Sequence, residues 1–469
     1  MKRILLFGFA YLLTCFSLTA QTDGALSLQE AVDYALQNSL EVQQAKIELA
    51  DAEQAIQERL SSGIPKISGT LDYNYFLQIP TSILPPFFPE TETAFAANNL
   101  PGGNPIPIQV TKLDADGNPV FGEAQEIQFG LKHNATAGVQ LSSLIFDWTY
   151  LTAVKAAREF KNFKNLEFKV TEREVRNRVT DAYLPALILR ENVAILDSNL
   201  MNLNRLRFET NESYKAGFVE QLDVDRLTLS ISNLEVQREA LLRQYETVEN
   251  GLKLAMNLAP DAEIIIADNI EDLLSDPAAD VLAGEINLQS RPEIDQLEKA
   301  LELADLNIDI QKAGYYPSVS GFISYQQQYQ GDKLTEGNWF PTSVIGLSAN
   351  IPIYSGGLRK TLVQRARLEK EKNVLLKTQF ERGVTMEIQT ARINYQSAKD
   401  RVANQEDNVE LAERIYDTTK IKYKEGVGSS IELTTAEQQL YQTQQNYTNA
   451  LYDLLQAKFA LERAVGITP

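Results

Sequence analysis

Two acidic residues stand at matching places in a segment that the chain writes twice. Tyr214-Lys-Ala-Gly217-Phe218-Val-Glu-Gln-Leu-Asp223-Val224 returns as Tyr423-Lys-Glu-Gly426-Val427-Gly428-Ser-Ser-Ile-Glu432-Leu433. Asp223 and Glu432 each follow their glycine by six residues. A carboxylate so placed, just after a turn and at the start of a helix, favours the positive helix end or holds cations when several gather. Neither role makes or breaks a covalent bond. The parts for bond chemistry are absent from the sequence: it has no P-loop, no His-Glu-x-x-His, and no Ser or Cys nucleophile with a histidine base. His133 is the sole histidine and reads as a strand or loop-edge residue, not a metal ligand. The chain is expected to be no enzyme and to carry neither metal nor cofactor.

The ends and the charge narrow the setting. Residues 1–20 read as a secretory signal peptide: Lys2 and Arg3 open it, Ile4 to Leu18 are apolar, and Leu18-Thr-Ala20 fits a small-residue cleavage site. Cys15 belongs to this leader, so the mature chain has no cysteine and no disulfide framework. The whole chain carries a net charge of −19, and losing Lys2 and Arg3 takes it to −21. That balance excludes a basic nucleic-acid footprint and suits a cation-tolerant surface. No later run is apolar enough for a membrane-spanning helix, so a membrane form requires β-strands closed into a barrel.

Long helices must carry the acids. From Gly356 to Tyr423 there is no proline, and after the opening Gly356-Gly357 a single glycine, Gly383. A helix over that stretch reaches about 100 Å. Ile388, Ala391, Tyr395, Ala398, Val402, Val409, Ala412, Tyr416 and Tyr423 step by three and four, the period of a left-handed coiled coil. The first half keeps the same phase from Val179 to Leu203, with Pro185 predicted to kink or break its helix. After each tip a second heptad pattern returns, from Val224 to Leu252 and from Leu433 to Leu461. Each half is therefore expected to hold two antiparallel helices, joined where Gly217 or Gly426 supplies left-handed dihedrals.

Between the helices lie segments of period two. Ile67, Gly69, Leu71, Tyr73 and Tyr75 alternate with Ser68, Thr70, Asp72 and Asn74; the stretches 127–141, 319–327 and 345–351 behave alike. Strands of about ten residues with Tyr73, Tyr75, Tyr325, Trp339 and Phe340 near their ends suit a membrane barrel; the alternative is a soluble sheet with one wet face. Four strands cannot close a barrel, since the smallest have about eight, so copies must associate, and three would supply twelve. The repeated strand pair Pro65–Tyr73 and Pro317–Tyr325 shows that the first half carries an insertion, rich in Pro, Gly, Asn and Asp, that reads as a long outer loop.

Signal peptide, strand pair, long helix, glycine tip and returning helix, run twice, together resemble the TolC-like outer-membrane efflux protein family (outer membrane factors). The residues that carry the resemblance are Tyr423-x-x-Gly426 with Ile431-Glu432-Leu433, Arg291-Pro-Glu293, and Ile351-Pro-Ile-Tyr354-Ser-Gly356-Gly357. The first half departs from it, since Leu144-Ile-Phe146-Asp147-Trp148 lacks the Pro and the Gly-Gly. The resemblance implies a mainly α chain with membrane β: a trimeric 12-stranded β-barrel continued by a long α-helical coiled-coil barrel, internally duplicated. The expected divisions are 1–20, the leader; 21–260, a first repeat with strands about 64–77 and 126–146 and a tip near 217; 261–285, an equatorial connector; and 286–469, a second repeat with strands about 316–328 and 340–354 and a tip near 426.

The implied function is the outer-membrane channel component of a tripartite efflux pump in a Gram-negative bacterium, with most of the chain in the periplasm. Its partners would be two further copies of itself, a periplasmic adaptor protein, an inner-membrane pump and outer-membrane lipid. An outer-membrane conduit of a type I protein secretion system is the alternative, and a periplasmic coiled-coil scaffold the second. A diffusion porin does not accommodate helices of about 100 Å. On the trimeric reading the tips form the gate: Asp223 and Glu432 project as acidic rings, and Tyr214 or Tyr423 latches a neighbouring acid. The competing role for the acids is to favour helix starts. Gly217, Phe218, Gly426, Val427 and Gly428 form the turns where an adaptor docks, with Phe218 and Val427 either in that contact or packed inside a closed bundle. The cargo, whether drug, metal ion or polypeptide, is not encoded in any motif.

Overall fold

The computed structural model describes residues 25–85, 87–96, 105–128, 130–274 and 288–467. The leader assigned to 1–20 lies outside them, as do residues 97–104 of the insertion and 275–285 of the connector. The described chain divides into two compact units.

The helical unit takes the residues up to Gln57, Val154–Asp309 and those from Lys360 on. Its framework is α1 (Leu28–Asn38), α2 (Leu40–Ser61), α3 (Trp148–Lys215), α4 (Gln221–Met256), the short α5 (Ile270–Leu274), α6 (Pro292–Ala313), α7 (Leu358–Lys424) and α8 (Ser430–Val465). The two long helices, α3 and α7, run 68 and 67 residues. Their heptad positions are the buried ones: Val179, Ala186, Leu189, Leu196, Leu200 and Leu203 on α3, and Ile388, Ala391, Ala398, Ala412 and Tyr416 on α7. Of the kink or break expected at Pro185, the break does not occur: α3 runs through it. Tyr183, Leu184, Ala186 and Leu187 around it are all buried, and this packing offsets the backbone hydrogen bond that proline removes. A parallel pair, β1 (Ala25–Leu26) with β8 (Ile265–Ile266), closes on the same core.

The β unit takes Glu58–Ala153 and Ile310–Arg359. Its antiparallel sheet has the order β10-β9-β7-β2, formed by β2 (Lys66–Tyr75), β7 (His133–Asp147), β9 (Ser318–Lys333) and β10 (Glu336–Asn350). These strands are 10, 15, 16 and 15 residues long, so three exceed the expected ten. The last one also starts and ends earlier than 340–354. Pro352 lacks an N–H for the ladder, and Gly356 and Gly357 at φ +61° and +83° turn the chain into α7. In the first half Asp147 does this work: its carboxylate accepts the Thr149 N–H at 2.7 Å and caps α3. The strand expected at 126–146 is split, with residues 125–128 paired elsewhere.

The insertion is not a plain loop. It holds β3 (Thr81–Leu84) paired with β6 (Gln125–Gln128), and β4 (Thr91–Ala96) paired with β5 (Ile106–Thr111). Asp114 accepts the backbone N–H groups of Asp116 and Asn118, which makes its Asp-Ala-Asp-Gly-Asn stretch a compact turn. Short Thr-, Ile- and Val-containing runs pair here across the turn-forming residues.

Candidate functional site

At the first tip, α3 ends at Lys215, and Gly217 turns the chain at φ +82°. The Gly217 N–H donates to Tyr214 O and the Phe218 N–H to Ser213 O, which satisfies the last carbonyls of the helix. Asp223 then accepts the Glu220 N–H at 3.2 Å, three residues into the cap of α4. The second tip is built differently. Gly426 turns at φ +74°, the Val427 and Gly428 N–H groups both donate to Lys422 O, and Ser429 caps α8 by accepting the Glu432 N–H at 3.2 Å. A Cβ on Gly428 would stand 3.0 Å from Tyr423 N, so that turn is closed to larger residues. Asp223 therefore caps its helix, whereas Ser429 does so for Glu432, whose carboxylate lies in the exposed first turn.

The tips belong to one cluster. The Lys424 ammonium pairs with Glu209 at 2.7 Å, tying the end of α7 to α3. Arg226 Nη1 donates to Ser430 Oγ at 2.9 Å, tying α4 to the start of α8. The hydrogen bond from Lys424 is the main reason Glu209 stays ionised below the ordinary carboxylate range. Tyr423 Oη is buried beside Thr210 Oγ1 without a well-formed hydrogen bond between them. Burial first, and then the negative charge of Asp223, push the Tyr423 phenol upward. So Tyr423 sits near an acid of the opposite tip, while Tyr214 is exposed. Phe218 and Val427 are 84% and 78% exposed. The sequence reading missed Glu209, Arg226, Lys424 and Ser430, because each finds its partner on the other half of the chain.

A second polar cluster lies further along the helical unit. Arg173, almost fully buried in α3, donates to both Glu293 oxygens at 2.9 and 2.7 Å, and Arg291 reaches Glu387 of α7 at 2.8 Å. Arg173 also donates to the Arg463 carbonyl of α8. The Arg291-Pro-Glu293 motif thus joins α3, α6, α7 and α8. Removing one member leaves a buried charge without its partner.

In the β unit, register decides which residues share a face. Ile67, Leu141, Ile323 and Ile345 form one cross-strand row, and Tyr73, Ala135, Tyr329 and Trp339 form another on the same side. The opposite side carries Thr70, Gly138, Gln326 and Thr342, with Asn74, Asn134, Gln330 and Asn338 beyond them. Both sides of the edge strands are exposed, the apolar one included: Leu71 and Ile345 are 81% and 79% exposed. A soluble sheet hides that side. His133 is a strand residue paired with Tyr75, beside the aromatic row, with its Nδ1 2.7 Å from Tyr73 Oη. Among the described residues no group of His, Cys, Asp and Glu side chains is arranged to hold a metal ion. Likewise, no described helix is long and apolar enough to cross a membrane.

Comparison with known proteins agrees with this architecture. The family described as "Outer membrane efflux protein" matches residues 285–467. Outer membrane efflux protein BepC of Brucella suis is 23% identical over 334 residues, 71% of this chain and 72% of its own. Alkaline protease secretion protein AprF of Pseudomonas aeruginosa is 20% identical over 336 residues, 70% of this chain and 69% of its own. Outer membrane protein VceC of Vibrio cholerae shares the fold, with a TM-score of 0.65 at 16% identity over 94% of this chain and 96% of its own. The family match thus covers residues 285–467, and the fold of such a channel is shared over nearly the whole length, so the chain is similar to outer membrane efflux proteins.

Proposed function

We propose that this chain is the outer-membrane channel component of a tripartite efflux pump, exporting small molecules across periplasm and outer membrane. The observation that carries this reading is the two-faced sheet whose apolar side is exposed. From Val319 to Tyr329, β9 spans roughly 33 Å along the strand, which a tilt of about 40° reduces to the roughly 25 Å apolar band of a membrane barrel. The row with Tyr73, Tyr329 and Trp339 supplies the aromatic girdle at one end. Strands β2 and β10 are the sheet's two edges, and a lipid-facing edge is untenable. Three copies, each an internal duplicate with two glycine tips, close twelve strands edge to edge.

In this reading the tips gate the conduit. Asp223 and Glu432 form acidic rings, Tyr423 helps hold the closed arrangement beside Asp223, and Tyr214 lines the same end. The exposed turns Gly217-Phe218 and Gly426-Val427-Gly428 dock a periplasmic adaptor, and an inner-membrane pump supplies the energy. The similarity to AprF, named for alkaline protease secretion, favours a type I secretion conduit as the second reading.

The test is planar-bilayer conductance of the purified protein, with its native mass measured in parallel. A trimer with small, cation-selective currents blocked by divalent ions is the expected result. A monomeric, non-conducting protein would overturn the channel. Deleting the gene then separates the two readings, by drug hypersensitivity for efflux or by loss of an exported polypeptide for secretion.

A further inference from the structure

The seam between α4 and α8 changes character a little beyond the tips. Leu227 and Ile231 are buried there, but next to them the two helices enclose a cavity of about 330 Å³ lined by amides. Asn233 and Gln237 come from α4, and Gln438, Gln442 and Gln445 from α8. Glu437 lines the same cavity. It is only 7% exposed, and its Oε2 is buried with no hydrogen-bond partner. A buried carboxylate oxygen without a donor is costly. No lysine or arginine lines the cavity. The Gln445 amide N–H donates to Tyr441 Oη, which leaves its carbonyl oxygen for another partner. One carboxylate among neutral amide oxygens is a hard-oxygen donor set with a single negative charge.

We propose that this cavity binds one small hydrated monovalent cation, Na⁺ or K⁺, on the Glu437 carboxylate. A divalent ion would leave an uncompensated positive charge in the seam, whereas a monovalent ion balances the site. At about 30 Å³ per water, the cavity has room for the ion and several water ligands. The site lies within one chain and is separate from the tip acids.

A proton is the competing occupant. Burial alone raises the Glu437 carboxyl to about 7. The other titratable groups beside it are phenols: Tyr441 on its own helix, and Tyr416 from α7, which burial and the charge of Glu437 push up to about 12. α3 meets this cluster through Leu196, Leu200, Leu203 and Leu206, all apolar. Unfolded, the carboxyl ionises near 4.5, so the stability that the protonated group contributes falls as pH rises from there to about 7, then levels off. Above that range the ionised site is open to the cation, and below it the proton holds the site.

The experiment is thermal unfolding of the full-length oligomer in detergent, in NaCl, KCl or N-methyl-D-glucamine chloride at equal ionic strength. At pH 8 the melting temperature is expected to be higher by roughly 2 °C or more in Na⁺ or K⁺ than in the bulky cation. The difference is expected to vanish at pH 5.5 and in Glu437→Gln. Equal melting temperatures in the three salts at pH 8, or a Glu437→Gln protein that keeps the difference, overturn the site. Sodium-23 relaxation of the wild-type protein gives a readout independent of the variant. Saturable broadening displaced by K⁺ but not by N-methyl-D-glucamine supports the site, and its absence overturns it.

Discussion

Asp223 combines two kinds of chemistry in one side chain, and substitutions can pull them apart. Its carboxylate accepts the Glu220 N–H, so Asp223→Ala removes the cap and the charge together. Loss of such a cap costs about 1 kcal/mol, to be measured by thermal unfolding. Asp223→Asn keeps an acceptor and removes only the charge, so its stability is expected to stay within a few tenths of a kcal/mol of wild type. If the acids gate the conduit, Asp223→Asn combined with Glu432→Gln raises single-channel conductance and weakens divalent block. An unchanged channel with a destabilised Asp223→Ala protein would leave the acids as helix starters alone. The glycine tips were legible in the sequence, because φ values of +82° and +74° favour glycine and the two copies mark each other. The ties Lys424–Glu209 and Arg226–Ser430 were not, since their partners lie on the other half of the chain. Glu437 was equally hidden. Within Thr-Thr-Ala-Glu-Gln-Gln-Leu it reads as part of a solvated helix face, and only tertiary packing buries it.

At the scale of elements, α3 organises the helical unit by gripping the strand pair β1 and β8. Tyr183 Oη lies 2.9 Å from both Leu26 O and Asp268 Oδ2, and Asp268 also accepts the Leu28 N–H at 2.7 Å. Arg190 of the same helix donates to Ile266 O at 2.6 Å. Burial first, then the charge of Asp268, holds the Tyr183 phenol protonated far above its ordinary range. Tyr183→Phe deletes the only donor of that hydroxyl and leaves buried acceptors short of a partner, at a cost of about 1–3 kcal/mol. A lower melting temperature with unchanged conductance is the expected result, and an unchanged melting temperature would show that the grip is not needed. The long helices and the alternating strands could be read from the sequence because periods of 3.5 and two persist over many residues. The ribbons of the insertion could not, because pairs such as Thr81–Leu84 with Gln125–Gln128 are too short to show a period and far apart in the chain. Pro185 differs for a related reason: local propensity marks a kink or a break, and the buried residues around it keep the helix unbroken.

For the whole molecule, the deciding question is which side of the sheet meets lipid, and two neighbouring residues of one strand answer it. Leu71 pairs with Ala137, and Ala137 with Gln327, on the side that also carries Ile67, Leu141 and Ile345. Thr70 pairs with Gly138 on the other side, beside Gln326 and Thr342. Successive strand residues point to opposite faces, so one step along β2 moves a side chain from one solvent to the other. If three chains close a barrel, Leu71→Arg buries a guanidinium in hydrocarbon at a cost of about 2–4 kcal/mol near the bilayer centre. The yield of folded trimer in outer-membrane fractions is then expected to fall. Thr70→Arg instead projects into a wet lumen, so it assembles normally and lowers cation conductance by adding positive charge to the path. A soluble sheet gives a different pattern: its apolar face would be covered by protein, neither variant would change membrane partition, and neither would change a current. The comparison is internal to one strand, so general effects of arginine on expression cancel between the two variants. A drop for Leu71→Arg alone, with an assembled but less conductive Thr70→Arg, identifies the apolar face as the lipid face and the polar face as the wall of the channel.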